Sequence, residues 1–243
     1  MTDKNCFFPV LSGNMIKLLA ALFMLIDHIG VILFPECIIL RIIGRLSYPL
    51  FAFKIAEGCY YTKNKTRYFL LIFSLGFLCQ IIYYIFDRSL DMGILITFSI
   101  SIILIYALDN FKQSLNSNPF KIQLCILNAL AFILLILIDF WFCKMYNVDY
   151  GFLGTLCPVF AFLFRENKNN IYSHTPFYLN IITFSIGILV LSISLGGIQF
   201  YSLFSLPLLL MYSGKRGKRN MKYFFYIFYP THFIILYLIS FMI

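Results

Sequence analysis

Charged side chains are scarce in this sequence. Ten Asp and Glu and nineteen Lys and Arg make up 12% of its 243 residues, against 61% hydrophobic residues. Soluble domains carry about 25% charged residues, so a water-soluble fold is excluded. Long polar stretches are lacking too, and the short polar connections at 116–119 and 167–173 leave no room for a separate soluble domain. The alternating segments of about ten residues that write a membrane β-barrel are absent. No two of the seven cysteines stand as C-x-x-C, so neither a zinc centre nor a thioredoxin-like redox centre is indicated. They read as small apolar fillers, and no metal is expected. No small-residue cleavage site follows the first apolar run, which carries Asp27 and His28, so it reads as a retained span and not a signal. No internal repeat is found.

What is present is a series of long apolar runs. A helix crosses the hydrocarbon core with roughly 20 apolar residues. Runs between breakers fall near 15–34, 37–61, 66–86, 93–110, 121–142, 150–165, 177–196, 198–212 and 222–243. Only Gly196 and Gly197 separate the seventh from the eighth. The expected fold is an all-α polytopic membrane protein, a single domain over 1–243, with about nine transmembrane helices (eight to ten). Cytoplasmic loops carry the positive excess. A cytoplasmic N-terminus puts fourteen basic residues on the inner side, from Lys4 to Lys222, and only Arg88 and Lys144 outside. The net charge of +9 is thereby a topology signal, and nucleic-acid binding is not inferred from it.

Ionisable groups inside a bilayer are costly and mark function by default. Asp27 and His28 lie about two thirds of the way along the first span. Arg41 and Arg45, four apart, project from one face of the second, with Tyr48 on the same stripe. Asp27 and Glu36 are candidate partners for them, and an anionic ligand is the alternative. Lys54 and Glu57, three apart, are suited to pair with each other. Asp139 follows a fully apolar run, Asp149 suits a helix cap, and His174 lies in a polar loop. His232 stands near mid-membrane after Pro230, which should kink its helix. Histidine, carboxylate and arginine together serve general-base catalysis with oxyanion stabilisation. A His pKa near 6.5 suits a base at neutrality, which favours His28. Adjacent helical residues point about 100° apart, so Asp27 is not expected to bond His28 itself; Asp27 or Asp139 is a candidate to orient the ring. The same set equally fits proton-coupled transport or an ion path.

The runs Leu25-Ile26-Asp27-His28-Ile29-Gly30 and Leu40-Arg41-Ile42-Ile43-Gly44-Arg45-Leu46-Ser47-Tyr48-Pro49 are followed in order by Ala56-Glu57-Gly58, Asp149-Tyr150-Gly151, Tyr212-Ser213-Gly214-Lys215-Arg216-Gly217 and Tyr229-Pro230-Thr231-His232. Together they resemble the TraX family of conjugal pilin acetyltransferases over essentially the whole chain. The resemblance implies an inner-membrane enzyme that moves an acetyl group from acetyl-CoA to the N-terminal amine of a pilin subunit, or to another envelope acceptor. By the same resemblance His28 is the expected base, Arg41 and Arg45 are active-site cations, Asp27 is their neighbour and His232 is a second candidate. Lys54 departs from the pattern by adding a cation where apolar residues are expected. Lys215, Arg216, Lys218 and Arg219 are expected to attract the CoA phosphates. The lipid bilayer is an implied partner, and oligomeric state is left open.

Overall fold

The computed structural model describes residues 10–117, 120–165, 177–217 and 221–242. The described residues form α1 (Gly13–Ile32), α2 (Ile38–Gly44), α3 (Ser47–Tyr61), α4 (Lys65–Asp87), α5 (Ile94–Leu115), α6 (Ile122–Met145), α7 (Gly151–Phe162), α8 (Phe177–Leu195), a 3₁₀ segment (Gly197–Ser205), α9 (Leu206–Leu210) and α10 (Lys222–Ser240). The protein is an all-α membrane protein. Five helices are long and apolar enough to span a bilayer: Gly13–Ile32, Lys65–Asp87, Ile94–Leu115, Ile122–Met145 and Tyr223–Ser240. Shorter apolar helices cover Gly151–Phe162, Leu179–Leu195 and Gly197–Leu210. α6 shows why lipid must be the solvent. Only 6% of its apolar window is buried in protein, and Leu127, Leu130, Leu134 and Trp141 point outward. An all-apolar exposed surface is stable against acyl chains and not against water.

Two expected spans are built differently. The run 37–61 is two helices, α2 and α3, broken at Arg45 and Leu46. Pro49 supplies the reason. Its ring excludes a helical carbonyl four residues earlier, at Arg45, whereas the first turn of a new helix tolerates its missing N–H. The run 198–212 is a 3₁₀ segment continued by the short α9. Gly196 and Gly197 precede and open it at φ 67° and 52°, values that a side chain with Cβ rarely adopts.

The chain divides into two compact units. The first comprises 1–54, 78–89 and 188–243. Here α1 lies against α2 and α10. Gly44 sets the closeness of the first pair, because a Cβ there would overlap the Asp27 side chain. Ser47 ties the start of α3 to α1 by donating to the Ala20 carbonyl at 2.9 Å. α10 continues through Pro230 as one helix and buries Phe233 and Tyr237 against Ile82, with Tyr83 and Phe86 packed around them. The Tyr237 hydroxyl donates to Asp87. The N-terminus of α1 is closed by the loop after α9: Gly13 and Asn14 N–H donate to the Lys215 and Arg216 carbonyls at 2.7 and 3.0 Å. Ser12 Oγ accepts from Met15.

The second unit comprises 55–77 and 90–187. α5 packs against α6 and α7. Asp139, 3% exposed on an otherwise lipid-facing helix, accepts from Thr155 Oγ1 and from Cys143 Sγ at 3.3 Å. Ser101 donates to the Thr155 carbonyl at 2.8 Å. These bonds satisfy buried polar groups that lipid could not. Asp149 is not the cap of α7. Tyr150, at φ 62°, occupies that position and its side chain makes no capping bond to α7, and the Asp149 carbonyl accepts from Thr97 at 2.8 Å. At one end of the unit Lys65 pairs with Asp109 at 2.7 Å, and Lys112 Nζ donates to the Leu163 and Arg165 carbonyls after α7, at 2.7 and 2.6 Å. Cations bonded to the last carbonyls of a helix favour its dipole.

Candidate active site

α1 carries Asp27 and His28 as neighbours, and its 100° step per residue sends them to different partners. Asp27 turns to α2. Arg41 Nη1 donates to its Oδ2 at 2.9 Å, and Arg45 Nη2 lies 2.9 Å from both Oδ1 and Oδ2. The four-residue spacing of the arginines lets both reach one carboxylate. The Asp27 and Arg45 side chains are only 15% and 14% exposed, Arg41 29%. Among the described residues, two guanidiniums meet one carboxylate here, an excess of one positive charge that favours an anion or a developing oxyanion beside it.

His28 turns instead to α10. Its Nδ1 lies 3.1 Å from His232 Nε2, across 204 residues of sequence. The ring of Phe233 packs on His28 at 4.4 Å, and His232 stacks on Phe228 at 5.3 Å. His232 Nδ1 meets the Phe228 carbonyl at 3.0 Å. A carbonyl only accepts, so His232 Nδ1 carries a proton and, in the neutral ring, Nε2 is an acceptor. The contact between the rings is then a donation from His28 Nδ1–H to His232 Nε2. The lone pair of His28 Nε2 is left as the basic atom. His232 is buried at 3% exposure while His28 is half-buried, so the inner histidine holds and the outer one is the more accessible. Arg41 and Arg45 are close enough to act on the His28 ring electrostatically.

Five of the residues singled out from the sequence therefore meet in the first unit: Asp27, His28, Arg41, Arg45 and His232. The partner of His28 is His232 and not a carboxylate; Asp139 belongs to the second unit and bonds Thr155 and Cys143. Glu36 is exposed. Lys54 is buried with its Nζ 3.2 Å from Tyr212 Oη and 4.5 Å from the centre of that ring. Lys215 and Arg216 are exposed on the loop that closes the N-terminus of α1. Gly13 and His28 are separated by roughly 22 Å at 1.5 Å per residue, so this loop is remote from the histidines. Lys218, Arg219 and His174 lie outside the described residues. Among the described residues no group of three His, Cys, Asp or Glu is arranged to hold a metal ion.

One residue of the cluster escaped the sequence reading. Gln199, on the 3₁₀ segment, accepts from Arg45 Nη1 at 3.5 Å and is buried at 3% exposure. Its signal was an amide side chain within an apolar run directly after Gly196 and Gly197, which a search confined to ionisable groups passes over.

The family described as TraX protein matches residues 12–240, a range that contains every residue of this cluster. A probable fimbrial assembly protein, FimC of serogroup H1, from Dichelobacter nodosus is 27% identical across 93% of this chain and 94% of its own length. An uncharacterized protein of Rickettsia prowazekii (strain Madrid E) is 33% identical over 65% of this chain, and the match spans 58% of that relative's length, less than two thirds of it. No solved structure matches.

Proposed function

The chain belongs to the TraX family, and from that premise we propose that it is a membrane-embedded acyltransferase. It moves an acetyl group from acetyl-CoA to an amine, the N-terminal amine of a pilin-like protein. The observation that carries this reading is the His28–His232 pair beside an arginine cluster with one positive charge in excess. A relative described as a probable fimbrial assembly protein supports an acceptor of the pilus type.

The acceptor amine loses its proton to His28 Nε2 as its lone pair attacks the thioester carbon. His232 accepts from His28 Nδ1–H and so fixes the ring in the tautomer whose Nε2 is basic. The CoA thiolate leaves with the electron pair of the C–S bond, and the proton passes from His28 to that sulfur. Arg41 and Arg45 favour the negative charge that develops on the acyl oxygen. Lys215 and Arg216 suit the CoA phosphates by charge. A donor held there must lay its thioester arm along roughly 22 Å of α1 to reach His28. The lysine and arginine distribution supports a cytoplasmic N-terminus, about nine crossings and residence in the bacterial inner membrane.

Membranes supplied with labelled acetyl-CoA test the reading. His28→Ala is expected to lower transfer at least 100-fold, and Arg45→Ala to lower it as well. Undiminished transfer by His28→Ala overturns the assignment. Mass spectrometry of envelope proteins and glycans, with and without the protein, identifies the acceptor. An acetyl group found on a glycan replaces the pilin amine with a hydroxyl, and the absence of any acetyl-CoA-dependent product turns the same residues to proton-coupled transport.

A further inference from the structure

Gln199 has no role in the steps above, and its surroundings define one. Its main chain is held on both sides: its N–H donates to the Gly196 carbonyl at 3.1 Å, and its carbonyl accepts from Ser192 Oγ at 3.3 Å. Ser192 Oγ lies 3.2 Å from Ser202 Oγ. The positive φ of Gly196 and Gly197 turns the chain out of α8 into the 3₁₀ segment that carries Gln199 to Arg45. The orientation of the amide follows from its neighbour. A guanidinium only donates, so Oε1 must face Arg45 and the NH₂ must face away from it.

That Nε2 is buried and has no hydrogen-bond partner among the described residues. An amide donor left unbonded in an apolar interior is costly, and an orphan donor in a folded protein calls for an explanation by strain, catalysis or a bound acceptor. This one belongs to a side chain that is 3% exposed, beside the cationic cluster and on the same unit as the histidine pair. A hydrogen bond from a cation to Oε1 polarises the amide and makes its N–H a stronger donor.

We propose that Gln199 Nε2–H donates to the carbonyl oxygen of the acyl group being transferred, so that the site selects donors by that oxygen. The proposal rests on the acyl-transfer reading of the same site. As the acceptor nitrogen forms its bond to the carbonyl carbon, the π pair moves to oxygen and Gln199 holds that charge. When the pair returns, the C–S bond breaks, and the proton taken by His28 passes to the leaving sulfur. Arg45 then acts on the oxygen through the amide as well as by its own field.

The full-length purified protein tests this with two CoA probes that do not transfer. In one, a 2-oxopropyl group on sulfur keeps a carbonyl, one methylene further from sulfur than the thioester's; in the other, a propyl group has none. The wild type is expected to bind the ketone about five- to tenfold more tightly than the alkyl probe, as for one hydrogen bond. Gln199→Met is expected to abolish that preference with the propyl probe bound as before, to raise KM for acetyl-CoA by no more than that same factor, and to lower kcat about 100- to 1,000-fold. Gln199→Glu, which faces Arg45 with a carboxylate, is expected to keep the fold and to lose the preference in the same way. An unchanged preference in both variants, or equal binding of the two probes by the wild type, overturns the role of Gln199 and leaves acyl transfer standing. A wild type that binds neither probe and transfers no acetyl group overturns the acyl-transfer reading and this role with it.

Discussion

Asp27→Asn removes the carboxylate bonded to both Arg41 and Arg45 while keeping the shape of the side chain. The wild-type cluster carries two positive charges and one negative, a net of one. The variant carries two positive charges, held side by side by the four-residue spacing of α2. The cost depends on how well water screens them. Exposed ion pairs are worth about 0 to 1 kcal/mol, whereas breaking a buried pair costs about 3 to 5 kcal/mol. Asp27 and Arg45 are 15% and 14% exposed and Arg41 29%, so the lower end of the buried range, about 3 kcal/mol, applies. At about 2 to 4 °C per kcal/mol for a chain of this size, Tm in detergent should fall by about 6 to 12 °C. Thermal unfolding followed by circular dichroism measures it. A second variant isolates the charge: Asp27→Asn with Arg41→Gln restores a net charge of one and should melt above Asp27→Asn alone. If Asp27→Asn melts within about 2 °C of the wild type, or the double variant melts below the single one, the network is not what joins α1 to α2.

Gly44→Ala places a Cβ into the Asp27 side chain. It should lower Tm by a comparable amount, and combined with Asp27→Ala, which empties that space, it should cost much less than the sum; simple additivity refutes the contact. Thr155→Val keeps the volume of a fully buried side chain but withdraws its donor from Asp139. The expected loss is about 1 to 3 kcal/mol, read as a lower Tm, and an unchanged Tm speaks against a structural role for that bond. Tyr212→Phe deletes the hydroxyl partner of Lys54 and keeps the ring beneath its ammonium. It should cost about 1 kcal/mol, and Tyr212→Leu, which also deletes the cation–π contact, should cost more; equal effects exclude a contribution from the ring.

Much of the site was legible before any coordinates. Ionisable groups in apolar runs announce themselves by their insertion cost, and the spacing of Arg41 and Arg45 placed them on one helical face. Even the divergence of Asp27 and His28 follows from the turn of an α-helix. The break between α2 and α3 was written in Pro49, although the apolar run across it hid the interruption, because hydropathy is blind to backbone continuity. Gln199 was hidden for another reason: its amide carries no charge, so its importance rests on burial and on a guanidinium 154 positions earlier in the chain.

What the sequence determined by itself is local. It dictated membrane helices, from the excess of apolar residues, and the direction in which each polar side chain leaves its helix. Which partner waits in that direction was decided by the tertiary structure alone. His28 could have faced Asp139, lipid or water; it meets His232 because α10 packs on α1, and that contact selects the tautomer that leaves Nε2 basic. The close approach of α2 to α1 likewise makes one carboxylate serve two arginines, and the turn at Gly196 and Gly197 brings an amide to one of them. Pairings across 200 residues are set by packing and loop closure, and no spacing along the chain encodes them.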